Sequence, residues 1–299
     1  MNYSEKAYPL ERKGVPLHLE RITVEGTAPE REILLVHGVT YSSHQFDLDY
    51  EDYSLARRLA REGYGVWLLD IAGFGRSGPV ADGFTPDSDY AAGDVAAAAE
   101  RILRETGREK IDLLGWSWGT VTVSRFVTAR PELVERLVLY GPVLRGVGGA
   151  LGAEVTEPFH HNSWAHVTEE FPRNEDGSFD ESFIDPALLH LLCSNCWRYD
   201  GEYSPNGGRR DVSAPETVEL IDLTRIRMPT LVICGDEDFY MDYDRIRRAP
   251  ELLPEGSALE MIPGGSHDLL FERGNHREFQ DRIVRFLVRA EQTAPGRGV

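Results

Sequence analysis

The sequence has 299 residues, of which 41% are hydrophobic, and a formal net charge of −18 at pH 7. A chain of this length can bury one sizeable α/β core together with an insertion. The negative charge argues against nucleic acid or an anionic membrane as a partner, because both favour basic protein surfaces.

Location and partners are also constrained by the sequence. No run of 18 uninterrupted apolar residues predicts a membrane-spanning helix, and the segment Met1–Lys6 lacks the apolar stretch of a secretory signal. Cys193, Cys196 and Cys234 are few and odd in number, which favours free thiols in a reducing compartment. We therefore expect a cytoplasmic protein that acts on a small molecule, with no membrane or nucleic acid partner, as a monomer or a homo-oligomer.

Apolar runs and helix-like spacings alternate along the chain. Strands are predicted near Leu17–Val24, Glu32–Val36, Gly65–Leu69, Lys110–Leu114, Leu133–Tyr140, Thr230–Cys234 and Ala258–Ile262. Helices are predicted over Tyr53–Glu62, Ser88–Thr106, Thr120–Ala129 and Asn275–Arg289. This alternation is typical of a doubly wound, mostly parallel α/β sheet.

The motif Gly115-Trp116-Ser117-Trp118-Gly119 lies between a predicted strand and a predicted helix. A serine on such a tight turn is held in a strained backbone conformation, with its hydroxyl projecting above the sheet. Side chains at the two glycines would collide with the neighbouring strand and helix. We interpret Ser117 as a nucleophile.

A nucleophilic serine needs a base and a group that orients the base. His267 follows the predicted strand Ala258–Ile262, and an imidazole titrates near neutral pH, so His267 is the expected general base. Asp236 and Asp238 both follow the predicted strand Thr230–Cys234. The carboxyl ends of strands are where open α/β sheets place their ligand sites, but the residues alone leave the choice of acid open.

Four motifs in this order resemble the α/β-hydrolase-fold serine hydrolases. They are His37-Gly38 after a predicted strand, Asp70-Ile71-Ala72-Gly73-Phe74-Gly75-Arg76-Ser77, the Ser117 turn, and the loops of Asp238 and His267. The resemblance selects Asp238 as the acid. It implies an oxyanion hole formed by the backbone N–H groups of Val39 and Trp118, and a supporting role for His37 in the loop.

The alternation of elements breaks after Tyr140, and helical and loop signals dominate residues 147–214. This insertion, which we name the cap, resembles the mainly helical cap domain of the family, so the predicted core comprises residues 1–146 and 215–299. A cap covers the active site, excludes water and contacts the substrate. Expected pocket residues are Gly38, Tyr41, Trp116 and Trp164.

The composition of the cap bears on the substrate. Its eight aromatic residues favour an apolar pocket, and its acids occur in pairs at Glu169-Glu170, Glu175-Asp176 and Asp180-Glu181. We expect the acids to form a solvated outer face. The alternative is that one or two point inward and bind a substrate ammonium.

A metal site is a weaker hypothesis. His190, Cys193 and Cys196 follow Asp185-Pro186, which predicts the start of a helix, but no fourth ligand has zinc-finger spacing. We expect no metal and no cofactor.

The expected reaction is cleavage of an ester, lactone or thioester of a small, largely apolar organic substrate through an acyl-enzyme on Ser117. Three alternatives stay open: an aminopeptidase resembling proline iminopeptidases, a carbon–carbon bond hydrolase, and a non-hydrolytic cyclase or binding role on the same fold.

Overall fold

A mixed nine-stranded sheet lies at the centre of the computed structural model, which describes residues 1–151 and 154–289. Its strands are β1 (Tyr3–Ala7), β2 (Leu10–Arg12), β3 (Val15–Val24), β4 (Arg31–Val36), β5 (Tyr64–Asp70), β6 (Ile111–Trp116), β7 (Val134–Tyr140), β10 (Thr230–Gly235) and β11 (Ala258–Ile262). The main order is β1-β3-β5-β4-β6-β7-β10-β11, with β2 paired to β3. The six strands from β5 to β11 in that order pair in parallel, which confirms the predicted fold class.

Helices cover both faces of this sheet. They are α1 (Leu55–Arg61), α2 (Ser88–Thr106), α3 (Trp118–Ala129), α7 (Tyr243–Arg247), α8 (Ala249–Leu252) and α9 (Asn275–Arg289). Helices α2 and α3 pack in one hydrophobic cluster, and α1 and α9 pack in a second. The Asp87 side chain caps the start of α2 by accepting from the Tyr90 N–H, and Gly107 ends the helix at φ 70°.

The predicted elements agree with the observed ones to within about two residues at their ends. The predicted strand Lys110–Leu114 continues through Trp116, so that β6 leads directly into Ser117. Strands β1 and β2 were not predicted from the sequence. Four of the five residues of β1 are exposed, so its pairing with β3 depends on backbone hydrogen bonds and leaves no apolar pattern in the sequence.

The cap contains short elements only. They are β8 (Phe159–His161), α4 (Trp164–Val167), α5 (Pro186–Asn195), a π-helical turn (Cys196–Asp200), β9 (Tyr203–Pro205) and α6 (Gly207–Val212). Helix α5 begins after Asp185, as predicted, and the antiparallel β8–β9 pair is an addition to the expected helices. The domain boundaries stay a prediction, and residues 152–153 and 290–299 of the predicted ranges lie outside the described residues.

The Asp200 carboxylate of the cap joins two loops of the core. One oxygen accepts from the backbone N–H groups of Ser42 and Gly75, at 3.0 and 3.1 Å, and the other lies 2.9 Å from His44 Nε2. The Asp200 and His44 side chains are 0% and 4% exposed. Four polar groups thus satisfy one another where the cap meets the core.

The three cysteines are free thiols, and all are buried. Cys193 and Cys196 belong to the cap, and Cys234 lies within β10. Within the described residues, no helix has both the length and the apolar character needed to cross a membrane.

Candidate active site

Ser117 occupies a sharp turn between β6 and α3. Its backbone adopts φ 55° and ψ −124°, a region that residues other than glycine rarely occupy. A Cβ on Gly115 would lie 2.5 Å from the Gly119 carbonyl oxygen, and one on Gly119 would lie 2.5 Å from the Val36 carbonyl oxygen. Both glycines therefore permit the close approach of strand, turn and helix that holds Ser117 in this conformation.

His267 and Asp238 form a buried pair beyond the ends of β11 and β10. The His267 Nδ1 lies 2.7 Å from the Asp238 Oδ2, and Asp238 is 0% exposed. Asp236 is exposed and accepts from the Gly264 N–H instead, at 2.6 Å, so it shapes the neighbouring loop. Of the two acid candidates, Asp238 is the one that contacts the imidazole.

The charges around His267 change its basicity. Burial by itself would lower the pKa of His267, but the adjacent Asp238 carboxylate and the more distant Glu170 and Asp268 raise this pKa to about 9. A carboxylate that accepts from Nδ1–H also fixes the tautomer, which leaves Nε2 free to take a proton.

The loop after β4 lies against the serine turn. A Cβ on Gly38 would lie only 2.8 Å from the Ser117 Cβ. His37 is fully buried; its Nε2 accepts from the Ile71 N–H, and its Nδ1 donates to the Gly38 carbonyl. Burial lowers the pKa of His37, so this imidazole is neutral and supports the loop.

The two predicted oxyanion donors belong to different segments, the start of α3 and the loop after β4. Trp118 is the first residue of α3, where backbone N–H groups have no acceptor within the helix. Its side chain points away from the cavity and donates from Nε1 to the Ser88 Oγ at 2.8 Å. Val39 lines the cavity above Ser117.

A cavity of about 90 Å³ opens beside Ser117 and His267, between the core and the cap. Tyr41 and Trp116 line it, as predicted from the sequence. Gly38 lies behind Ser117 rather than in the wall. The wall also includes charged and polar groups of the cap.

The prediction that Trp164 lines this pocket is wrong. Trp164 is 49% exposed, its ring packs against His190, and it borders a separate apolar cavity of about 420 Å³ near Trp197. Tyr41 and Val167 form part of the wall of both cavities. The short helix α4 therefore carries Trp164 to the far side of that wall.

Charged residues of the cap form part of the wall. Glu169 and Glu170 are exposed, as expected for an outer face, and they also line the cavity, which is the alternative left open above. Glu175, Asp176 and Glu181 are exposed and are not among the residues that line it.

Asp268 and Arg209 line the cavity as well. Burial and the charge of Glu170 raise the pKa of Asp268 well above its usual range. Two features of the sequence could have pointed to these residues: Asp268 directly follows His267, and Arg209 directly follows the pair Gly207-Gly208.

The metal site weighed for His190, Cys193 and Cys196 does not form, because His190 is exposed while Cys193 and Cys196 are buried. Within the described residues, His44, Cys196 and Asp200 come close enough to share an ion. The Asp200 oxygens already accept from two backbone N–H groups and contact His44, so hydrogen bonding accounts for this group.

Comparisons with known proteins agree with this architecture. The chain is 33% identical to a 2-hydroxy-6-oxononadienedioate/2-hydroxy-6-oxononatrienedioate hydrolase from Pseudomonas sp., over 76% of this chain and 78% of that protein. It is 28% identical to a non-heme chloroperoxidase from Burkholderia pyrrocinia, over 82% and 88% of the two chains. The structure of an esterase from Exiguobacterium antarcticum superposes with a TM-score of 0.66 at 17% identity, covering 94% of this chain and 99% of that one.

The model of one family, described as the alpha/beta hydrolase fold, matches residues 32–274. That range includes the serine turn, the loops of Asp238 and His267, and the whole cap. The chain therefore belongs to the alpha/beta hydrolase fold family and is a hydrolase of that family.

Proposed function

We propose that this hydrolase cleaves an ester, lactone or thioester of a small organic acid through an acyl-enzyme on Ser117. The observation that carries the proposal is the 2.7 Å contact of His267 Nδ1 with the buried Asp238, while His267 lines the same cavity as Ser117. The strained backbone of Ser117 supports it, since the strain is maintained by two close-packed glycines.

In the proposed reaction, His267 Nε2 takes the proton of the Ser117 hydroxyl as its oxygen attacks the substrate carbonyl. The N–H groups of Val39 and Trp118 hold the negative oxygen that forms. His267 then gives the proton to the leaving group, which departs and leaves an acyl-enzyme. Water attacks that acyl group while His267 takes its proton, and His267 returns the proton to the Ser117 oxygen as the acid is released. Asp238 orients the imidazole through its contact with Nδ1, and the proposed reaction uses no cofactor.

The cavity favours a small substrate. Its volume of about 90 Å³ suits a short acyl group, and Trp116, Val143, Val147 and Phe271 supply apolar walls. Glu169, Glu170 and Arg209 of the cap add charged groups to the same wall, so the substrate is not expected to be apolar throughout.

An aminopeptidase is the second candidate. Glu169, Glu170 and Asp268 line the cavity, and a carboxylate near the scissile carbonyl could pair with a substrate ammonium. A preference for aminoacyl amides over matched neutral esters would favour this candidate. The likeness to the Pseudomonas hydrolase keeps a carbon–carbon bond hydrolase as a third candidate.

Labelling with a fluorophosphonate probe tests the proposal and separates it from a purely binding role. We expect the wild-type protein to be labelled and the Ser117→Ala variant to stay unlabelled. Hydrolysis of a panel of p-nitrophenyl esters, lactones and aminoacyl amides then identifies the class of substrate. A folded wild-type protein that resists the probe would contradict a nucleophilic role for Ser117.

A further inference from the structure

Arg209 brings a positive charge to the cavity beside Ser117. The residue lies in α6 of the cap and is half-buried. Its Nη1 donates to the Thr40 Oγ1 at 2.7 Å and lies 3.1 Å from the His166 Nε2. Thr40 directly follows Val39, so the guanidinium is fixed next to the loop assigned above to the oxyanion hole.

The partners of Arg209 are neutral. Burial, His160 and Arg209 itself lower the pKa of His166 to about 3, so the imidazole accepts without carrying a charge. No carboxylate oxygen among the described residues lies within 4.0 Å of the guanidinium. Glu169 contacts His166 at 3.6 Å, and Glu170 accepts from the Tyr240 hydroxyl at 2.5 Å.

Other arginines of similar burial are paired with carboxylates. Arg12 pairs with Asp94, Arg21 with Glu32, Arg57 with Asp47 and Arg136 with Asp112. A partly buried cation without a counterion is costly, and this chain has 50 acidic residues from which a partner could be drawn. Among the described residues Arg209 differs from these arginines in having no direct ion pair, and Glu169 and Glu170 act on it only at longer range.

Arg209 also has unused hydrogen-bonding capacity. A guanidinium carries five N–H donors in a planar fork that matches a carboxylate. Among the described residues, only Nη1 has hydrogen-bond partners, so the N–H groups of Nε and Nη2 can donate to another acceptor.

The backbone of α6 holds the fork in place. A Cβ on Gly208 would lie 2.6 Å from the Trp118 ring, and one on Gly207 would lie 2.7 Å from the Pro86 carbonyl oxygen. These glycines bring the start of α6 against the core, which fixes where the Arg209 side chain begins.

From these contacts we propose that Arg209 binds a carboxylate carried by the substrate itself. The substrate class is then a half-ester of a dicarboxylic acid, or a related carbonyl compound with an anionic group a few bonds from the scissile carbonyl. The inference rests on the proposed hydrolysis at Ser117. Glu169, Glu170 and Asp268 share the wall, but no oxygen of these acids lies within 4.0 Å of the guanidinium: Glu169 contacts His166, and Glu170 accepts from Tyr240. They therefore leave the fork of Arg209 open to a ligand.

Matched ester pairs test the inference. Monomethyl adipate is compared with methyl hexanoate, and monomethyl glutarate with methyl pentanoate, by titrating the acid released. We expect wild type to prefer each half-ester in kcat/KM. The Arg209→Met variant should lose about 30-fold or more on the half-esters and change little on the neutral esters. Arg210→Met is the control, since Arg210 is the exposed neighbour on the same helix.

A binding measurement separates this inference from the proposed reaction. Adipate should raise the melting temperature of Ser117→Ala but not of Ser117→Ala/Arg209→Met. If Arg209→Met does not fold, Arg209→Gln is the second variant, because it removes the charge and retains amide N–H donors on a shorter side chain. Fluorophosphonate labelling with equal turnover of both ester types would overturn the role of Arg209 and leave the hydrolase proposal standing. Adipate binding through Arg209 in a protein that resists the probe would support the role of Arg209 and contradict the hydrolase proposal.

Discussion

At the scale of single residues, the proposed mechanism depends on Ser117 and His267. Replacing either by alanine should reduce turnover by at least about a thousandfold, because the nucleophile and its base act as a unit. Both side chains border an open cavity, so the fold should be preserved. Ester hydrolysis and circular dichroism measure the two effects, and ordinary activity in a folded variant would contradict the mechanism.

The two neighbouring acids should differ sharply in effect. Asp238→Asn removes the carboxylate that contacts His267, and we expect a loss of about 10³ to 10⁴ in kcat. Asp236→Asn is the control, because Asp236 is exposed and its side chain accepts from the Gly264 N–H rather than contacting His267. Equal losses in the two variants would show that the acid was assigned incorrectly.

The pKa of His267 predicts an alkaline pH profile. Only neutral His267 can accept the Ser117 proton, and its pKa is raised to about 9, so kcat/KM should rise with pH and level off above about 9. Glu170→Gln removes one of the charges that raise this pKa and should move the profile to lower pH. A profile that is flat from pH 6 to 9 would contradict the effect of these charges.

The same shift links His267 to stability. The pKa of His267 in the folded protein lies above its ordinary value of 6.5, so the contribution of His267 to the free energy of unfolding is fully present below pH 6.5. That contribution is lost as pH rises through about 9.

At the scale of elements, the packing of α3 against β4 sets the position of Ser117. Gly119→Ala would place a Cβ 2.5 Å from the Val36 carbonyl oxygen, so we expect a loss of about 1–3 kcal/mol in the free energy of unfolding. Gly149→Ala is the control, because a Cβ there meets no atom within 4 Å. Urea denaturation compares the two, and equal stability would mean that the helix shifts to make room.

The elements that could be predicted are those whose burial leaves a pattern in the sequence. Strands β4, β5, β6 and β10 are buried almost throughout, so they appear as continuous apolar runs. Strands β8 and β9 have three residues each, which is too short for a pattern to develop. Their pairing is decided by contacts elsewhere in the cap.

The residues of the candidate site also fall into a group that the sequence predicts and a group that it does not. Ser117, Asp238 and His267 follow core strands, and such positions can be found from motifs. Glu170 and Arg209 reach the cavity from the cap, where orientation depends on tertiary packing. Their place in the wall could not be derived from local sequence.

At the scale of the whole molecule, the cap and the core are joined by buried polar contacts as well as by the chain. The Asp200 carboxylate contacts Ser42, Gly75 and His44 of the core, and Arg209 contacts Thr40. Removing one member of a buried polar group leaves the others without partners. Asp200 should therefore control how firmly the cap is held on the core.

The buried thiols make the opening of the cap measurable as a reaction rate. Cys193 and Cys196 report on the cap and border the cavity near Trp197, and Cys234 reports on the core. A disulfide reagent too large to enter that cavity should reach each thiol only when its surroundings open. We expect Cys193 and Cys196 to react before Cys234. Asp200→Ala should raise the reaction rates of Cys193 and Cys196 and leave that of Cys234 unchanged. All three thiols reacting at one rate that follows global stability would mean that the cap and the core open only by unfolding together. The substrate would then have to reach Ser117 while the cap stays in place.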